Sequence, residues 1–238
     1  MIRTAIAVVY LALLVLLCWL PLMLYAVLTR SGDLLYHGSL AGVLVIYRVI
    51  GIRSRAEGVE NIPAAPCLFA ANHTSNIDPP AIMKCIPRRV AILAKKSLFA
   101  IPIVGPAFRL GRFVPVDRSN AEEAMASLDL AEKYMKQGTS FLIYPEGTRS
   151  PDGRLLRFKS GAFALAIKAG VPVVPVACIG AHRIMPKNSL RITPGEVVVR
   201  FCPAIDATAY QFEDRGKLSE QVRAAIAAAL PSDQRPLR

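Results

Sequence analysis

The chain has 238 residues, of which 53% are apolar and 7% aromatic, and carries a formal net charge of +12. That length supports one domain, or one domain with an appendage, with enough chain to bury a good core. The positive excess calls for an anionic partner; without basic-aromatic interleaving or a nucleic-acid signature, nucleic acid ranks behind an anionic bilayer or a phosphorylated substrate.

Mean hydropathy is +0.40, and the excess is concentrated at the N-terminus. Residues Thr4 to Thr29 carry no charge and are nearly all apolar, long enough for the roughly 20 residues that cross a hydrocarbon core. A secretory signal is the competing reading. Arg3 would be its charged start, but the run exceeds the usual apolar length of about 7–15 residues, and no small-x-small cleavage site follows. Pro21 is expected to kink or break the helix. A second apolar stretch, Gly38 to Tyr47, is too short to span and ends at Arg48. The first run either crosses once, or the two form a helical hairpin in one leaflet. Arg30, Arg48, Arg53 and Arg55 outweigh Arg3, which places the C-terminal bulk on the cytoplasmic face. Five scattered cysteines (Cys18, Cys67, Cys85, Cys178, Cys202) without a C-x-x-C pair agree with a reducing compartment and predict no metal site.

From Arg53 onward, short apolar runs alternate with amphipathic stretches, the pattern of an α/β layer fold. Strands are predicted at Cys67–Ala71, Val90–Ala94, Phe113–Val116, Ser140–Tyr144, Val173–Cys178 and Val197–Phe201. A helix is predicted from Asn120 to Gln137, with Ser119 and Glu122 as a capping box and Gly138 as its stop. Further helices are expected from Ser160 to Ala169 and from about Gly216 to Leu230. The organisation that follows is 1–52 as membrane-anchoring helices, 53–230 as one catalytic domain, and 231–238 as a flexible tail.

Four stretches carry the chemistry. The first is NHTSNID, Asn72 to Asp78, between an apolar strand and Pro79-Pro80. His73 sits where the strand stops, and Asp78 is expected at a helix N-cap. Residues five apart on a helix diverge by about 140°, so the two side chains meet only if the turn-prone Thr-Ser-Asn bends the backbone between them. A carboxylate holding an imidazole is a general-base arrangement. Alone, the pair reads more readily as a helix cap beside an unrelated histidine.

The second stretch is YPEGTRS, Tyr144 to Ser150, after the strand SFLIY. Gly147 permits close approach by a ligand, and Arg149 offers a planar fork for a phosphate. Glu146 would orient Arg149 or accept a hydrogen bond from a substrate hydroxyl. The bland alternative is a surface turn with a salt-bridged arginine. The third stretch, up to Arg118, offers Lys95, Lys96, Arg112 and Arg118 for an anion site, or as a solvated basic face. The fourth is VPVVPV, Val171 to Val176, whose two prolines argue for an edge or a strand entry.

Together and in this order, the four stretches resemble the lysophospholipid acyltransferase family, whose central members are the bacterial 1-acyl-sn-glycerol-3-phosphate acyltransferases. Asn72, His73 and Asp78 match its NHxxxxD block; Gly111, Phe113, Val114, Asp117 and Arg118 match the second; Tyr144 to Ser150 match the third, with Tyr144 where many members have phenylalanine; Val171 to Val176 match the fourth. The resemblance covers about residues 53 to 205. It implies a mixed, mostly parallel α/β sheet flanked by helices, bound to the inner membrane and using acyl-CoA or acyl-carrier protein, with no metal or other cofactor. It implies His73 as base, Asp78 as its orienter, and Asn72, Lys95, Arg118, Glu146, Gly147, Thr148 and Arg149 as the substrate-binding set for lysophosphatidic acid. The product would be phosphatidic acid. A sibling acceptor such as lyso-ornithine lipid fits the same blocks. A hydrolase lacks its Gly-x-Ser-x-Gly elbow, and a non-enzymatic lipid-binding protein would keep its binding after His73→Ala.

Overall fold

The structure, a computed structural model, describes residues 2–29, 31–102, 104–117 and 121–236. Arg30, the predicted cap Ser119 and the phosphate candidate Arg118 lie outside them.

The chain begins with a continuous 28-residue apolar rod: α1 (Ile2–Leu14), a π-helical turn (Val15–Trp19) and α2 (Leu20–Thr29). Pro21 does not break it, contrary to expectation. A proline cannot donate to the carbonyl four residues back and crowds it, and the widened turn just before Pro21 absorbs that misfit. Helix α3 (Asp33–Val49) folds back along the rod. Gly38 and Gly42, one turn apart, let it approach closely: a Cβ at either would come within 3 Å of Leu22 or Leu14.

Both ends of this hairpin touch the rest of the protein. Near its start, Thr4 donates to the Leu190 carbonyl at 2.5 Å. At its turn, Asp33 pairs with Arg89, and the Tyr36 hydroxyl accepts from the Val90 N–H at 3.2 Å. A 28-residue helix is about 42 Å long, so the rod lies along the body rather than projecting from it. Its outer residues, among them Leu16, Leu17, Leu24 and Leu28, are exposed.

The body is a seven-stranded sheet: β1 (Ile52–Glu57), β2 (Leu68–Ala71), β3 (Val90–Lys95), β4 (Val114–Val116), β5 (Ser140–Ile143), β6 (Val173–Ile179) and β7 (Gly195–Phe201), in the order β1-β7-β6-β2-β5-β3-β4. Among the described strands, only the β6–β7 pairing is antiparallel. Alternate residues of β2 serve opposite faces, as a strand demands. Phe69 and Ala71 join the core under α3, α4 (Asp78–Cys85) and α8 (Ala181–Ile184). Leu68 and Ala70 join the core under α6 (Ala121–Lys136), α7 (Ala164–Ala169) and α9 (Arg215–Ala229). The remaining helix, α5 (Val104–Leu110), leads into β4.

Three expectations need correction. Strand β1 escaped the sequence reading because its centre, Arg-Ser-Arg, is polar; it is an edge strand, where polar residues are tolerated. The Val171 to Val176 stretch is not an edge: β6 lies inside the sheet, between β7 and β2. Pro175 survives there because it faces 202–205, where β7 has ended. Its carbonyl accepts from Cys202 N–H, and Val173 exchanges two bonds with Ile205. The register shifts by one residue between Val176↔Phe201 and Val173↔Ile205, a bulge that accommodates the proline. The C-terminal segment is not a free tail through residue 236. Gln234 is 1% exposed, its carbonyl accepts from Leu155 N–H, and its side-chain oxygen accepts from Gly180 N–H.

Candidate active site

The four parallel strands β2, β5, β3 and β4 end on one side of the sheet, where open α/β folds bind ligands. There lies a cleft of about 1140 Å³, lined by His73 after β2, Lys95 at the end of β3, Asp117 after β4, and Tyr144, Gly147, Thr148 and Arg149 after β5.

The predicted bend between His73 and Asp78 is present. His73 Nδ1 lies 2.8 Å from Asp78 Oδ2, and the Asp78 carboxyl is fully buried. Asp78 is not an N-cap, however. It is the first residue of α4, followed by Pro79 and Pro80, which have no N–H to offer it. The carboxyl therefore turns back on its own loop, taking the N–H groups of Thr74 at 2.7 Å and Ser75 at 2.8 Å on the same oxygen as the imidazole. The other oxygen accepts from the Cys178 thiol at 3.4 Å. With every contact a donor, Asp78 acts as the acceptor toward His73. The imidazole hydrogen then sits on Nδ1, and Nε2 presents its lone pair to the cleft. The ring stacks on Tyr144, centroids 4.1 Å apart. The Tyr144 hydroxyl is buried without a partner, so the ring's stacking on His73 does not depend on it.

The second block holds the first. Glu146 Oε1 accepts from His73 N–H at 2.9 Å, and Ser150 N–H donates to the His73 carbonyl at 2.7 Å. Both main-chain groups of His73 are thus fixed by the turn that follows β5. Gly147 makes that turn with φ 77°, a left-handed conformation that favours glycine.

Glu146 therefore holds the His73 main chain; it is 4% exposed and is not among the cleft-lining residues. Burial pushes its carboxyl up to about 8, against the pull of backbone donors from His73 and Leu156. The folded protein then keeps a proton on Glu146 between the ordinary 4.5 and about 8, where the unfolded chain has lost it. Stability falls as pH rises through that window, by up to about 1.4 kcal/mol per pH unit. Glu146→Gln keeps the acceptor for His73 N–H and removes the titration. Denaturant midpoints measured across the window should decline for wild type and run flatter for the variant.

Asn72 also differs from expectation. Its amide donates to the Cys178 carbonyl at 2.9 Å and accepts from Cys178 N–H at 2.7 Å. It is fully buried and splices β2 to β6 instead of meeting substrate. Cys178 had no signal in the sequence, yet its main chain secures Asn72 and its thiol faces Asp78. Lys187 was equally silent; its Nζ donates to Thr148 Oγ1 at 3.1 Å at the edge of the cleft. Lys95 and Arg149 do line the cleft together. Lys96 is paired with Glu123, and Arg112 is turned to Thr139 and stacked on Tyr134, so neither is free for an anion.

A family model described as acyltransferase matches residues 53–179, just over half the chain. The chain belongs to the acyltransferase family. It is 32% identical over 209 residues to a 1-acyl-sn-glycerol-3-phosphate acyltransferase of Cocos nucifera, covering 87% of this chain and 67% of that one. The alpha form of that enzyme in Homo sapiens is 31% identical, over 76% of this chain and 65% of the relative. The crystal structure of the 1-acyl-sn-glycerophosphate (LPA) acyltransferase PlsC from Thermotoga maritima superposes with a TM-score of 0.76, at 28% identity and 96% coverage of both chains. The protein is thus an acyltransferase, with the mixed, mostly parallel sheet of that structural relative.

Proposed function

We propose that this acyltransferase moves a fatty acyl group from acyl-CoA or acyl-carrier protein to the free sn-2 hydroxyl of 1-acyl-sn-glycerol-3-phosphate, yielding phosphatidic acid. The acceptor is the one named for its relatives. The observation that carries the chemistry is the buried Asp78 behind His73, which leaves Nε2 open on a cleft that also holds Arg149.

In this reading His73 Nε2 takes the proton of the acceptor hydroxyl as its oxygen attacks the thioester carbonyl. The tetrahedral intermediate collapses with cleavage of the carbon–sulfur bond. The imidazolium, steadied by Asp78, returns its proton to the departing thiolate. The new ester bond replaces the thioester, and no enzyme nucleophile intervenes. Arg149 makes no hydrogen bond or ion pair with any described residue, so its guanidinium is available to the acceptor phosphate; Lys95 adds charge beside it. A second apolar pocket of about 570 Å³ shares Leu93, Val116, Tyr144 and Gly147 with the lining of the cleft and lies beneath Leu128 and Phe158, on the sheet face covered by α6. It suits the donor's acyl chain.

The hairpin would lie in one leaflet of the inner membrane with the body on the cytoplasmic side. Its two ends both bind that body, which a perpendicular spanning rod would not allow. The test is a purified full-chain assay offering several lysolipids with matched CoA and carrier-protein donors. The 1-acyl-sn-glycerol-3-phosphate should give the highest kcat/KM. Equal or faster acylation of lyso-ornithine lipid would replace the acceptor.

A further inference from the structure

The loop that joins α8 to β7 ties two parts of the molecule to the rim of the cleft. At its start, the Met185 carbonyl accepts from Ser75 Oγ at 2.8 Å, behind the bend whose Ser75 N–H holds the Asp78 carboxyl. Further along, the Leu190 carbonyl accepts from Thr4 at the start of the apolar rod. Between these two attachments the chain makes a tight turn. Ser189 N–H donates to the Pro186 carbonyl at 3.1 Å, and Asn188 takes φ 62°, a left-handed conformation that asparagine adopts more readily than most residues. Lys187 stands in that turn. Its Nζ donates to Thr148 Oγ1 at 3.1 Å, and Thr148 lines the cleft beside Arg149.

The acyl-transfer steps above give Lys187 no task. An ammonium group has three donors, and Thr148 takes one of them. Lys187 makes no ion pair with any described residue, whereas nearby Arg183 is paired with Asp233 and Lys96 with Glu123. A turn fixed on both flanks therefore holds a cation against a neutral hydroxyl, at the edge of a cleft that already contains Arg149 and Lys95. The planar fork of a guanidinium grips two terminal oxygens of a phosphate. A phosphate monoester has a third, and close to two negative charges at neutral pH; a diester has neither. A compact point charge on a flexible stem suits that third oxygen.

We propose that Lys187 is the residue by which this enzyme distinguishes a phosphate monoester from other lysolipid headgroups. Its ammonium moves from Thr148 Oγ1 onto the third terminal oxygen of the acceptor phosphate while Arg149 holds the other two. The inference rests on the acyl-transfer reading above and adds what sets headgroup choice. One loop then serves both ends of the acceptor: through Ser75 it braces the bend behind His73, and through Lys187 it meets the phosphate.

The experiment uses the full chain in detergent micelles. The probes are palmitoyl propanediol phosphate, a lysophosphatidate analogue without the acceptor hydroxyl, and its methyl phosphodiester. Wild type should bind the monoester about tenfold more tightly than the diester at about pH 8, the worth of one charge-assisted hydrogen bond. Lys187→Met keeps the length of the stem and should remove that preference. It should also raise KM for palmitoyl lysophosphatidate about tenfold and leave KM for the donor unchanged. Lys187→Arg should restore most of the preference. Arg191→Met, which removes an exposed charge from the same loop, should change none of these values. Equal binding of the two probes by wild type would overturn the proposal, and that measurement stands even if Lys187→Met fails to fold. An unchanged preference in Lys187→Met, a rise confined to the donor's KM, or an equal loss in Arg191→Met would overturn it as well. A wild-type protein that prefers the monoester but transfers no acyl group would count against the reaction and leave the headgroup site standing.

Discussion

His73→Ala should lower single-turnover acyl transfer by about 10²–10⁴-fold, the usual worth of a positioned base, while leaving the protein folded and membrane-bound. The imidazole is 18% exposed, and its one hydrogen-bonded side-chain partner is Asp78, so its removal opens little of the core. Asp78→Ala should cost the same activity and stability as well. It strands the N–H groups of Thr74 and Ser75 in a dry loop, at about 1–3 kcal/mol for each unpaired buried group. Asp78→Asn separates the two effects. An amide oxygen in the place of Oδ2 can still take both backbone donors and Nδ1–H, but the negative charge that steadies the imidazolium is gone, so the rate falls while the loop keeps its bonds. Thermal melts and single-turnover rates on the three variants check this. Near-wild-type transfer by Asp78→Asn would remove the carboxylate from the mechanism.

Arg149→Ala should raise KM for 1-acyl-sn-glycerol-3-phosphate by about 10–100-fold, from the loss of charge-assisted bonds worth about 1.5–3 kcal/mol. The guanidinium lines the cleft and has no ion-pair partner among the described residues, so the folded protein gives up little when it goes. KM for the donor should stay near its wild-type value. Initial-rate kinetics with each substrate varied in turn make the measurement. A rise confined to the donor would reassign Arg149 to the thioester's carrier.

The sequence disclosed which residues gather at the site better than which way they point. The His73–Asp78 contact was legible because only a bend could join residues five apart, and the stretch between them is turn-forming. Arg149, Gly147, Thr148 and Lys95 do line the cleft. Asn72 and Glu146 belong to the same blocks, yet their side chains turn inward, to the Cys178 backbone and the His73 N–H. Spacing along a loop does not encode that choice; packing against β6 does. The same long-range pairing hid Cys178, which is 100 residues from Asp78, and admitted Pro175 to the interior of the sheet, because its partner strand had already ended. The hairpin was half legible. Length and composition marked the apolar stretch, but the docking of both its ends depends on Leu190 and Val90, far along the chain.

Direct transfer, with His73 as base and no acylated enzyme, is tested most plainly by a single turnover with donor labelled in its acyl chain. Excess enzyme is mixed with labelled donor, first without and then with 1-acyl-sn-glycerol-3-phosphate. The account predicts no label on the protein at any time, and label in phosphatidic acid only after the acceptor is added. Label bound covalently to the protein that then chases into the lipid would contradict it.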